Sequence, residues 1–171
     1  MLFRSLSARN NFIRNLTLSL NGNTLLLFQF VEKHGKPLYD NLKQLAPDRK
    51  IYFVSGEIGG EKREEIRKIV EQEENSIIVA SFGVFSTGIN IRNLHNIIFA
   101  SPSKSRIRNL QSIGRGLRKS ETKEIATLYD IADDMSWKSK KNFTLLHFLE
   151  RINIYNEEKF NYKIYSVALN I

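Results

Sequence analysis

Apolar side chains fall along this chain in two rhythms that take turns. Leu2, Leu6, Phe12, Ile13, Leu16 and Leu20 recur at roughly helical spacing and stop at Asn21-Gly22-Asn23, which predicts an N-terminal helix with a turn behind it. Thr24 to Phe30 is a nearly unbroken apolar run, the pattern of a strand buried on both faces. After Pro37 a second helical pattern runs through Leu38, Leu42 and Leu45 and closes before Pro47. Ile51 to Val54 is the next short strand. Residues 60–74 are dense in charge, with Ile66, Ile69 and Val70 as one narrow apolar stripe, so an exposed amphipathic helix is predicted there. Ser76 to Ser81, Asn96 to Ala100 and Ile125 to Asp130 read as three further strands, and Phe143 to about Tyr155 returns to helix. The last ten residues, around Ile164, Tyr165, Val167 and Leu169, predict a short extra strand or a packed tail.

Strands that alternate with helices imply right-handed βαβ units and a mainly parallel sheet with helices on both faces. The chain is therefore expected to be one α/β domain over residues 24–171, preceded by a helix over residues 1–23 that serves as a connector or a packing element. In such open sheets ligands collect outside the carboxyl ends of the strands. Three segments are placed there: Glu32-Lys33-His34-Gly35-Lys36, the loop Ser81 to Asn90, and the segment opening at Lys104.

Composition narrows the chemistry. The 171 residues include 26 Lys and Arg against 18 Asp and Glu, a net charge of +8. There is no cysteine, which excludes disulfides, thiolate metal sites and a Cys nucleophile together. His34, His95 and His147 are too scattered for a metal cluster, and His95, beside a buried strand, reads as structural. No apolar run approaches the roughly 18 residues of a transmembrane helix. Arg4, Arg9 and Arg14 interrupt any signal-peptide core. A soluble, intracellular domain with a polyanionic partner is expected. Much of the excess charge sits in one window. Lys104, Arg106, Arg108, Arg115, Arg118 and Lys119 lie there with no acidic residue among them. Within it, Gly114-Arg115-Gly116 lets a phosphate approach the backbone closely, and Arg115 and Arg118 are three apart, so on a helical turn their planar forks converge on one polyphosphate.

These residues resemble a family. Gln111-Ser112-Ile113-Gly114-Arg115-Gly116-Leu117-Arg118 is similar to motif VI of superfamily 2 helicases, whose pattern is Gln-x-x-Gly-Arg-x-x-Arg. Ala80-Ser81 through Ser86-Thr87-Gly88-Ile89-Asn90-Ile91 resembles motif V. Leu25 to Phe30 with Glu32-Lys33-His34 resembles motif IV, and Val54-Ser55-Gly56-Glu57 the family's Ser-Gly turn. The phrases VSGE, IIVASFGVFSTGI, NLH, QSIGRGLRK and EKFNY, in that order, are most similar to the C-terminal RecA-like lobe of the UvsW type of phage helicase. The likeness runs from about Leu25 to the C-terminus.

The resemblance implies a RecA-like second lobe that shares ATP and Mg²⁺ with an N-terminal lobe supplied in cis or in trans. By position, Arg115 and Arg118 resemble arginine fingers, Gln111 lines the same cleft, and Gly88 and Asn90 lie near the nucleotide. Many relatives have Asp where Asn90 stands, and some have Arg where Ser112 stands. Ser81 and Thr87 would lie near the nucleic-acid backbone or the lobe interface. The implied partner is DNA or RNA, gripped through phosphates by Lys33, Ser55, Gly56 and Ser81, in the host cytoplasm if the chain is phage-encoded, with no membrane. Phe82 and Phe85 read as core or lobe-interface residues, with base stacking as the alternative. Trp137 with Lys138, Lys140 and Lys141 is a duplex contact or a solvated loop.

The first lobe's parts are missing from the sequence. Gly35-Lys36 is followed by Pro37 and lacks the upstream glycine of a P-loop, and no Asp-Glu-x-His box occurs. Asp133-Asp134 reads as a cap on the next helix. The chain alone is expected to have no meaningful ATPase activity. Two other readings stay open: a standalone nucleic-acid-binding module without ATPase, and an unrelated nucleotide-sugar transferase built on a Rossmann-like half.

Overall fold

The computed structural model describes residues 2–86, 91, 93–101, 126–136 and 140–169, with backbone alone for residues 2–6 and 85–86. In chain order the elements are α1 (Leu2–Ser19), β1 (Thr24–Phe28), a π-helical turn (Val31–Gly35), α2 (Lys36–Leu45), β2 (Ile51–Val54), α3 (Gly60–Glu71), β3 (Ile77–Ser81), α4 (Phe82–Ser86), β4 (Asn96–Phe99), β5 (Thr127–Asp130) and α5 (Phe143–Glu157). The strands form one sheet in the order β2-β3-β1-β4-β5, and every pairing is parallel.

That order explains the sequence rhythm. β1, β3 and β4 occupy the middle of the sheet and are buried along their whole length. Successive side chains of a strand point to opposite faces, so an interior strand must be apolar at every position. On one face Leu26, Phe28, Ile77, Val79 and Ile98 pack with Ile13 of α1 and with Leu38 and Leu42 of α2. On the other, Leu25, Leu27, Ile78, Ala80, Ile97 and Phe99 pack with Val70 of α3, Phe82 and Val84 of α4 and Tyr155 of α5. β2 and β5 are the edges and are only half-buried for most of their length.

The amino-terminal rim of the sheet is closed by Asn23. Its Nδ2 donates to the carbonyls of Val70 and Asn93, and its Oδ1 accepts from the Ser76 backbone N–H and hydroxyl, both at 2.9 Å. The helix-stopping Asn-Gly-Asn is therefore also the residue cluster that ties three segments together. Gly22 beside it sits at φ +85°, and a Cβ there would lie 2.6 Å from the His95 ring. His95 Nδ1 accepts the Asn23 backbone N–H at 3.1 Å, which agrees with the structural reading of that histidine.

Three expectations change. The first strand ends at Phe28, two residues early, because the Phe30 carbonyl accepts the His34 and Gly35 N–H groups of the π-helical turn, leaving Phe30 59% exposed. Asp133-Asp134 does not cap the next helix. Asn142 stands at that N-cap, Asp133 bonds to α1, and Asp134 accepts the Ser136 N–H at 2.9 Å. The tail is not a strand: residues 161–169 have no regular structure, and beyond Tyr162, whose ring lies against Tyr155, the exposed chain packs on nothing described. No helix among the described residues is long and apolar enough to cross a membrane.

Candidate functional site

Parallel pairing aligns the carboxyl ends of β2, β3 and β1 side by side. Val54 is in register with Ala80, and Ser81 with Phe28, so the residues that follow these positions share one rim. Four sequence candidates meet there. Ser55 directly follows β2 and is buried, and its carbonyl accepts the Ile58 N–H at 3.1 Å, which turns the chain. Gly56 is exposed, and a Cβ on it would meet nothing within 4 Å. Ser81 ends β3 and is 9% exposed. Neither serine hydroxyl bonds another described residue.

Lys33, the fourth, is exposed on the π-helical turn after β1. Such turns recur at functional sites, and this one is held firmly. A Cβ on Gly35 would lie 2.4 Å from the Phe28 ring, so glycine is what lets the turn lie flat on the strand end. Glu32 pairs with Lys36 across the turn. Lys33 makes no ion pair with another described residue.

Two polar clusters on this rim escaped the sequence reading. In the first, Arg9 of α1 donates from Nε to Asp133 Oδ1 at 2.7 Å, and His34 Nδ1 lies 3.0 Å from Ser101 Oγ. Four elements meet in it. The His34 pKa is lowered to about 4, by burial first and by the nearby Arg9 charge second, with Asp133 partly opposing. The imidazole is therefore neutral at working pH, and its Nε2 is buried with no partner among the described residues. Asp133 and Arg9 are 124 positions apart, a separation at which no sequence spacing signals a contact.

The second cluster fixes α5 to the edge strand. Arg151, 1% exposed, forks onto Asp130 through Nε at 2.6 Å and Nη2 at 2.9 Å, and the Tyr155 hydroxyl donates to the same carboxylate at 2.7 Å. Burial and the Asp130 charge push the Tyr155 phenol well above its ordinary pKa. Arg151 and Tyr155 are four apart on α5, the spacing of one helical face, which was the signal available in the sequence. Of the carboxylates on this rim, Asp130 and Asp133 are thus committed to arginines. The described residues offer no set of ligands for Mg²⁺. Phe82 lies in the core, edge-on to Phe99 at 5.2 Å, which rules out stacking on a base. Gln111, Arg115, Arg118, Gly88, Asn90, Thr87, the Phe85 ring and Trp137 lie outside the described residues.

A parallel sheet in this order, with small polar groups and a lysine on its carboxyl rim, is the architecture of a helicase lobe. Residues 8–120 match the helicase conserved C-terminal domain, and the chain belongs to that family. It is 40% identical to the ATP-dependent DNA helicase uvsW of Enterobacteria phage T4, an alignment that takes in 98% of this chain and 36% of that protein. The crystal structure of T4 UvsW superposes with a TM-score of 0.75 at 41% identity, covering 95% of this chain and 35% of that one. The chain thus spans about a third of the length of these relatives. Domain 2 of the DEAD-box helicase Mss116p, solved bound to an RNA duplex, shares the fold at a TM-score of 0.58 and 20% identity, over 75% of this chain and 51% of that one.

Proposed function

We propose that the chain is the C-terminal motor lobe of an ATP-dependent superfamily 2 DNA helicase or translocase that remodels branched DNA in recombination, repair or replication, in the cytoplasm of a phage-infected host. The observation that carries this reading is the gathering of Lys33, Ser55, Gly56 and Ser81 on one rim, in a chain similar to uvsW along nearly its whole length. A rim of backbone N–H groups, hydroxyls and one lysine grips phosphates without reading bases. That suits a translocase, which must hold any sequence it passes over. The helix α1 buries Ile13 in the core and is a packing element of the lobe.

Arg115 and Arg118 are assigned as arginine fingers that stabilise charge on the transferred phosphoryl group, a contribution of roughly 10³–10⁵ in rate where such fingers act. Gln111, Gly88 and Asn90 are assigned to the nucleotide side of the lobe, and Thr87 to the nucleic-acid side. The P-loop and the Mg²⁺ ligands come from the N-terminal lobe, so the chain by itself does not turn over ATP.

The test is reconstitution. The chain is mixed with a P-loop-bearing N-terminal lobe and DNA-dependent ATP hydrolysis is measured, with Arg115→Ala and Arg118→Ala alongside. Rescue that is lost in both variants is expected. Rescue indifferent to both, or hydrolysis by the chain alone, would overturn the assignment. DNA binding by the chain alone that survives without ATP or a partner, together with failure of reconstitution, would favour a standalone binding module.

A further inference from the structure

Beyond Tyr155 the fold prepares a departure. Helix α5 closes with the Phe160 N–H on the Tyr155 carbonyl at 2.9 Å and the Lys159 N–H on the Asn156 carbonyl at 3.1 Å. This paired closure sends the chain off in a set direction, usually through a glycine in the left-handed region. Here Lys159 occupies that position at φ 56°, a conformation that costs a side-chain-bearing residue. The departing chain is clamped. Phe160 packs on Tyr155 with ring centroids 6.2 Å apart, Tyr162 follows at 5.9 Å, and the Tyr162 hydroxyl donates to Asn156 Oδ1 at 2.9 Å.

What leaves this clamp covers nothing. Residues 161–169 are all exposed and make no backbone hydrogen bond to another described residue. Yet Ile164, Tyr165, Val167 and Leu169 are large and apolar, with Tyr165 78% and Ile164 59% exposed. Tyr165, Val167 and Leu169 stand two apart, the spacing that puts side chains on one face of a strand, and Tyr, Ile and Val favour that conformation. A directed, apolar, strand-prone segment without a surface to cover is an interaction site.

We propose that residues 161–169 are a strap that docks onto the P-loop-bearing lobe of the same motor through the apolar face formed by Tyr165, Val167 and Leu169. The proposal rests on the motor-lobe reading above. The strap belongs to the stretch aligned with uvsW, which covers 98% of this chain but only 36% of that protein, so such relatives carry about two thirds of their length as further chain for it to meet. Charge argues against a second copy as the occupant. The chain carries +8, and from Lys159 onward it holds Lys159 and Lys163 and no acidic side chain, so two straps repel.

The experiment is a calorimetric titration of the 171-residue chain with the part of the T4 uvsW helicase that it does not match. The double variant Tyr165→Ser/Val167→Glu removes two exposed apolar groups and leaves the core untouched; Leu45→Lys, at the exposed end of α2, removes one elsewhere. Saturable binding is expected, weakened at least tenfold by the strap variant and unaffected by Leu45→Lys. Binding indifferent to the strap variant, or no binding by the unmodified chain, would overturn the proposal. Light scattering that shows a dimer of the chain, lost in the strap variant, would overturn it in favour of self-association. Strap-dependent binding without DNA-stimulated ATP hydrolysis would sink the motor reading and leave the docking site standing, whereas rescued hydrolysis with strap-independent binding would do the reverse.

Discussion

His34 should make the domain lose stability on mild acidification. The imidazole is mostly buried, lies near the Arg9 guanidinium, and has its pKa held at about 4 against an ordinary 6.5. Asp133, the acidic group of the cluster, opposes this only in part because it is paired with Arg9. The unfolded chain therefore takes up the proton first. Stability from the neutral imidazole is fully present above about pH 6.5 and is lost progressively as the pH falls towards 4. The gap between the two values corresponds to about 3 kcal/mol when fully expressed. The ring is not wholly buried, so about 2 kcal/mol is the working expectation. Urea unfolding at pH 7.5 and pH 4.5, on the unmodified chain and on His34→Gln, isolates the effect, since glutamine does not titrate and the carboxylates contribute equally to both proteins. The unmodified chain should lose about 2 kcal/mol more than the variant over this interval. Equal losses would refute the claim that His34 is held neutral by its surroundings.

Other perturbations probe the remaining contacts by the same denaturation assay. Asp130→Ala strands the buried Arg151 guanidinium and should cost about 3–5 kcal/mol, while the double change Asp130→Leu/Arg151→Met should cost much less; equal costs would mean that the pair is not desolvated as the geometry indicates. Lys159→Gly relieves the left-handed backbone and should raise stability by up to about 1 kcal/mol; a clear loss would contradict the strain. Gly22→Ala drives a Cβ into the His95 ring at a positive φ and should cost more than about 1 kcal/mol, whereas Gly56→Ala, facing open space, should leave the unfolding midpoint nearly unchanged. A nearly neutral Gly22→Ala would show that the turn can open without loss.

Local pattern carried much of the architecture. Five short apolar runs separated by helical stretches were enough to predict a parallel sheet covered on both faces, because an interior strand must be apolar on both sides and that requirement is written residue by residue. The same logic put Lys33 and Ser81 on the carboxyl rim, whereas Ser55 and Gly56 were singled out by the family resemblance, and the register sets the ends of β1, β2 and β3 side by side. The tail misled, since Ile164, Tyr165, Val167 and Leu169 look like residues that bury themselves, and the described fold leaves them exposed. Apolarity in a sequence states a need for a partner without saying whether the same domain supplies it.

By itself, then, the sequence determined the five strands, the four longer helices and the motifs of a helicase lobe, but not the π-helical turn or α4. Only the tertiary structure decided that β2 and β5 are the edges, that His34 is neutral beside Ser101, and that Arg9 reaches Asp133 and Arg151 reaches Asp130. The reason is physical. Secondary structure answers to neighbours three or four positions away, whereas burial and the charge state of a side chain answer to whatever the fold brings within a few ångströms, and those neighbours are set by the whole chain.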